Sequence, residues 1–177
     1  LSCVLNAMIS NDLEYSDVKE VKVTCFAQAY DILFDPTKYR PESRETADHS
    51  LPYCMAAAMV DKKITTESFS DEKLKDPRIY EVIDKIIGEP SQEFEKMFPA
   101  KQPSRVVVTT IDGREFEEYL EYPKGDPREP MTMNDLENKF NSLAGDKFAD
   151  EIKAQLKENI FNCENLSAVQ FIENLNV

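Results

Sequence analysis

Asp48, His49, Ser50 and Tyr53 fall within one six-residue stretch, and they carry the side chains best suited to acid–base work. His49 is the only histidine in the chain. Ser50 followed by Leu51-Pro52 reads as an N-cap with proline in the first helical turn, where a missing N–H costs nothing. The polar group would then crowd around a helix N-terminus, where unbonded N–H groups and the helix dipole favour an anion. That arrangement suits a small carboxylate. The simpler reading is an ordinary capped core helix with a satisfied histidine. Tyr53, with an ordinary pKa near 10, can donate a proton to a leaving hydroxyl or a carbanion, or hold a carboxylate as a donor. Its plain alternative is a buried tyrosine with one hydrogen bond. His49 can pair with a carboxylate or orient Tyr53, or be structural. Ser50 is the cap first, and any substrate contact is secondary. Lys124, in Tyr122-Pro-Lys-Gly-Asp-Pro127, can add positive charge, though an exposed turn lysine is the default. A Cys54/His49 nucleophilic pair has poor spacing at a helix start and no further support.

The elements that must position these groups follow from periodicity. Leu1, Val4, Leu5, Met8 and Ile9 recur at helix spacing. Residues 20–26 alternate as a strand with Val21, Val23 and Cys25 inward. Pro36 and Pro41 bracket a charged loop, either solvated or a lip carrying Arg40 and Arg44 toward an anion. A helix over 51–60 follows. Asp76-Pro77 caps another, with Ile79, Val82, Ile83, Ile86 and Ile87 on one face and Gly88 as its stop. Residues 89–103 read as an irregular loop. A β-hairpin turns at Asp112-Gly113. Thr132 opens a helix with a capping-box-like pattern, and further helices follow over 148–159 and 167–175.

Bulk properties narrow the function. The chain has 177 residues, 41% hydrophobic and 31% charged, with net charge −13. Such a surface repels nucleic acid and anionic membranes. No apolar run is long enough to span a bilayer. Cys3, Cys25, Cys54 and Cys163 are widely spaced and read as reduced core residues of a cytoplasmic protein. One histidine and no paired cysteines leave little for a metal site, and no metal or cofactor is expected. The chain opens inside a helical pattern on a residue other than Met, so a piece of something longer is expected.

Four stretches together resemble the MmgE/PrpD family. They are Ala47-Asp-His-Ser-Leu-Pro-Tyr53 with Ala56-Ala-Ala58 and Asp61, Asp76-Pro77-Arg78 before a helix with Asp84-Lys85-Ile86, Thr110-Ile-Asp-Gly-Arg114, and Tyr122-Pro-Lys-Gly-Asp-Pro127 leading to Pro130 and Leu136-Glu-Asn-Lys-Phe140. Their order and spacing match over nearly the whole chain. The family includes 2-methylcitrate dehydratase, cis-aconitate decarboxylase and iminodisuccinate epimerase. The resemblance implies metal-independent proton transfer next to a carboxylate of a small di- or tricarboxylate. A 2-methylcitrate dehydratase-like hydro-lyase is the foremost expectation. It also implies an enzyme of two domains, one large and helical, one a smaller lid, with the site between them and several catalytic residues on the helical one. Tyr53 is the catalytic residue that carries over. His49, Ser50 and Lys124 are the substrate-binding candidates.

The expected fold is therefore α+β. Residues 1–130 would form a lid-type domain with a small antiparallel-rich sheet and packed helices. Residues 131–177 would be helices returning to a helical domain absent from this chain. The expected partners are a polycarboxylate substrate, that N-terminal helical domain and a second copy in a homodimer. This chain alone is expected to be inactive. The alternative is a stand-alone, non-catalytic binding or interaction module.

Overall fold

The sheet is built around β1 (Val18–Cys25). A computed structural model describes residues 1–175, so the last two residues of the expected 131–177 segment lie outside the described residues. Strand order is β2-β1-β3-β4, with β2 (Ile86–Pro90), β3 (Ser104–Thr110) and β4 (Glu115–Leu120). β1 runs antiparallel to β3, pairing Val21 with Val108 and Val23 with Val106. It runs parallel to β2, pairing Val21 with Ile86. The β3–β4 hairpin turns at Asp112-Gly113, where Gly113 has φ +87°. A register shift between Val18 and Glu20 lets Val18 and Val21 both face the core despite their odd spacing.

Helix α1 (Ser2–Ser10) lies against β3 and β4 and buries Cys3, Val4, Ala7 and Met8. Leu1 and Ile9, read from periodicity as part of the same apolar set, are exposed. Short helices α2 (Ala27–Leu33) and α3 (Arg44–Asp48) precede α4 (Leu51–Asp61), which packs against α1 and α5 (Pro77–Ile83). Every residue from Pro52 to Met59 is buried. Three successive alanines, 56–58, keep α4 thin enough for neighbours on all sides.

Two expectations need correction. The helix from Pro77 stops at Ile83, and Ile86-Ile87 belong to β2 rather than to its apolar face. The isoleucine spacing fits a helix, but pairing with β1 buries Ile86 and places Gly88 where a Cβ would sit 2.6 Å from the Phe34 ring. The supposed irregular loop over 89–103 contains helix α6 (Gln92–Met97), capped by Ser91, which accepts from the Phe94 N–H.

The chain divides into two compact units, Leu1–Glu129 and the residues from Pro130 onward. The second holds α7 (Met133–Ala144), α8 (Asp150–Phe161) and α9 (Ala168–Leu175). Thr132 caps α7 reciprocally with Asp135, as the sequence predicts. Among the described residues no helix is long and apolar enough to cross a membrane. With a mixed four-stranded sheet and its helices, the fold is α+β.

Candidate functional site

The start of α4 is fixed by Ser50. Its buried hydroxyl accepts from the Tyr53 N–H at 3.1 Å and donates to the Lys38 carbonyl at 2.5 Å. That joins the cap to the Pro36–Tyr39 turn. A serine so committed positions the helix, and its one proton is already used.

Tyr53 is fully buried. Its hydroxyl donates to the Ser68 carbonyl at 2.8 Å, and its ring lies 6.0 Å from the Phe69 ring. Burial, ahead of the nearby Tyr80, Cys54, Asp76 and Asp61, pushes its pKa well above the usual tyrosine value. The Thr66–Phe69 turn that supplies Ser68 is closed by the Ser68 hydroxyl, which accepts from the Thr65 N–H. Beyond it, Lys73 bonds Asp61 at the end of α4 at 2.7 Å and reaches Asp76 at 3.8 Å. Ser68 and Lys73 escape sequence reading because nothing local marks a backbone acceptor 15 residues from Tyr53 or a cation 12 residues from Asp61.

His49 sits between α3 and α4 with its ring in solvent. Its Nδ1 lies 3.0 Å from the Glu45 carbonyl and 2.5 Å from Asp48 Oδ1. These two acceptors, the carbonyl first, raise its pKa. Cys54 donates to the Ala47 and Asp48 carbonyls at 3.6 and 3.8 Å, and burial pushes its thiol up to about 11. A thiol so held is a poor nucleophile near neutral pH. Arg40 is engaged with Asp84 at 2.5 Å and lies over the Tyr80 ring. Arg44 is exposed. Cys163 is also exposed, unlike the other three cysteines and against the expectation of a core residue.

Two of the four stretches, the first and the last, meet at a groove of about 240 Å³. Leu51 from the start of α4, Cys3 from α1, Cys25 and Phe26 from the end of β1, Ser104 from β3, and Tyr122-Pro123 after β4 all line it. Ser50 and Lys124 are therefore each one residue from a lining position, whereas the Tyr53 hydroxyl is held by Ser68. Cys3 Sγ sits 3.5 Å from Ser104 Oγ on the wall. Lys124 is exposed. Among the described residues no cluster of His, Cys, Asp and Glu is arranged to hold a metal ion.

The turn beside Pro123 contains a residue the sequence reading passed over. Arg128 forks onto Asp126 through Nε at 2.8 Å and Nη2 at 2.9 Å, and its guanidinium lies 4.0 Å from the Tyr122 ring centroid. The fork holds the Asp126 carboxyl down at about 2. Its signal is legible in the sequence as a repeated Asp-x-Arg: Arg78 makes the same fork onto Asp76, and Arg114 bonds Asp112 through Nε.

Comparison with known proteins identifies the family. The MmgE/PrpD C-terminal domain matches residues 1–164. Cis-aconitate decarboxylase of Aspergillus terreus is 26% identical over 132 residues, covering 73% of this chain and 27% of that protein. The Homo sapiens cis-aconitate decarboxylase is 29% identical over 132 residues, covering 71% and 26%. The Mus musculus protein of the same name is 30% identical over 104 residues, covering 59% and 21%. The chain thus spans 21–27% of the length of these relatives. With nearly its whole length matched, this chain belongs to the MmgE/PrpD family, as its C-terminal domain.

Proposed function

We propose that this chain is the C-terminal part of an enzyme that acts on a small di- or tricarboxylate by proton transfer next to a carboxylate, without a metal. The observation that carries the reading is the family match over residues 1–164. The relatives named cis-aconitate decarboxylase favour loss of CO₂ over the 2-methylcitrate dehydration first expected from the sequence. In a decarboxylation the C–CO₂ bond breaks, its electron pair stays on carbon, and an acid delivers a proton there. Tyr53 is the proposed acid. Its hydroxyl must exchange the Ser68 carbonyl for the substrate, and its raised pKa keeps the proton in place until then. His49 and Lys124 are the proposed carboxylate contacts, and Ser50 joins them only by exchanging its bond to the Lys38 carbonyl for one to the substrate. The proposed partners are the helical remainder of the enzyme and a second copy. The exposed apolar residues of α7 to α9, Leu136, Phe161 and Ile172 among them, support an apolar partner. The cytoplasm is the proposed compartment, and the free thiols support a reducing one.

The test is turnover by the gene's full-length product with cis-aconitate, citrate, 2-methylcitrate and iminodisuccinate, following CO₂ release, water loss and isomer ratio. Turnover of one of them is expected, and inactivity on all four would sink the reading. Tyr53→Phe should lower kcat by about 10²-fold or more. It should cost only about 1 kcal/mol of stability for the lost hydrogen bond, so a thermal melt separates the two effects.

A further inference from the structure

We propose that Arg128 is a positioning residue: it locks the turn over 123–129 so that Tyr122-Pro123 form a fixed wall of the groove and Lys124 is held at its rim. The inference rests on the groove being where the polycarboxylate of the proposed function binds. Three Asp-x-Arg pairs occur among the described residues, and they are not equivalent. Arg78 grips Asp76 alone at the start of α5. Arg114 grips Asp112 in the hairpin and lies 5.5 Å from the Phe116 ring. Arg128 alone makes a fork, a close stack and a bond to a separate segment. Its Nη1 donates to the Ala100 carbonyl ahead of β3, and its 4.0 Å approach to Tyr122 is the shortest guanidinium–ring contact described.

The backbone closes around that fork. Gly125 donates to the Glu129 carbonyl at 2.8 Å and Asp126 to the Pro123 carbonyl at 3.0 Å. Asp126 also accepts the Arg128 N–H at 2.9 Å, and its side chain is only 13% exposed. Gly125 has φ +98°, so the turn takes a shape that a residue with Cβ resists. Exposed ion pairs usually contribute little, but a bidentate, stacked and half-covered one fixes geometry. Lysine cannot replace it, since an ammonium lacks both the planar fork and the stacking face. What the clamp fixes is the groove: its stacked ring, Tyr122, lines it, and so does Pro123.

The experiment compares wild type, Arg128→Gln, Arg128→Lys and Lys124→Ala in the gene's full-length product. It measures amide hydrogen exchange over 123–129 and steady-state kinetics on the polycarboxylate that wild type turns over. Both Arg128 variants should exchange about tenfold faster at Gly125 and Asp126, and raise KM about tenfold with kcat held within about twofold. Lys124→Ala should raise KM without changing the exchange. Arg128→Gln combined with Lys124→Ala should raise KM little beyond Lys124→Ala alone. Unchanged exchange in the Arg128 variants overturns the clamp. Faster exchange with an unchanged KM overturns the positioning role and leaves Arg128 merely structural. Inactivity of wild type on every polycarboxylate instead overturns the proposed function, while the exchange data still decide whether Arg128 fixes the turn.

Discussion

Helices α4 and α8 are nearly the same length, 11 and 12 residues, yet they are stabilised in opposite ways. From Pro52 to Met59 α4 is buried without interruption, and its polar groups sit only at its ends. In α8 only Leu156 is buried, and Ile160 and Phe161 face outward at 45% and 53% exposure. One helix is wrapped by its own chain. The other keeps an apolar stripe that its own unit does not cover, and α7 and α9 share that trait through Leu136, Leu143, Val169 and Ile172. The difference teaches where packing fixes geometry to fractions of an ångström. Side chains at the start of α4 are held by a closed core, whereas α8, which has no side-chain cap at its start, depends on propensity and pairs such as Asp150–Lys153 at 2.8 Å.

The sharpest way to break that contrast is a matched truncation. Met59→Ala should cost about 3 kcal/mol, because α4 has no room to collapse around the void. Ile160→Ala should cost under about 1 kcal/mol in this chain. Urea titration of both variants checks the pair. Equal costs would mean that α4 is not the better-packed helix. Repeating Ile160→Ala in the gene's full-length product sharpens the comparison, since a cost that rises there reports a partner covering the α8 face.

A smaller effect tests the same core from the opposite direction. Gly88→Ala adds one methyl at a site already filled by the Phe34 ring. The ring must tilt or β2 must shift, at about 1–3 kcal/mol. An unaltered melt would mean that the β1–β2 edge is looser than the α4 core it flanks.

What the sequence could show follows the range of the interactions. Caps were legible because they act over three residues. Ser50, Asp76 and Thr132, each expected as a cap, accept the N–H groups of Tyr53, Arg78 and Asp135. The Asp112-Gly113 hairpin and the inward valines of β1 were legible for the same reason. β2 was not. Its isoleucines continue a helical spacing, and only pairing with β1, 65 residues earlier for Ile86 with Val21, makes them a strand. The site divides in the same way. Ser50 announces itself as a cap, but the carbonyl that takes up the Tyr53 hydroxyl lies across a turn with no signature. Arg128 stands in a repeated Asp-x-Arg pattern whose third copy is set apart by the Ala100 carbonyl, 28 residues away in the chain, and by the Tyr122 ring, neither of which the pattern itself marks.

The smallest expected effect sits where the buried helix meets solvent. His49 is the sole histidine, so one imidazole resonance follows its titration by NMR. Its raised pKa comes first from the Glu45 carbonyl and then from Asp48, both favouring the protonated ring. The midpoint should therefore lie above the ordinary 6.5. Stability owed to these contacts is fully present below the ordinary value and is lost as pH rises through the raised one. Asp48→Asn removes the charge but leaves the carbonyl, so the midpoint should fall while staying above 6.5. Added salt should lower the wild-type midpoint more than that of the variant, because it screens the Asp48 charge. A wild-type midpoint at or below 6.5 would show the ring free of both acceptors. The order of the α4 core would then stop at Ser50, one residue short of the group proposed to meet the substrate.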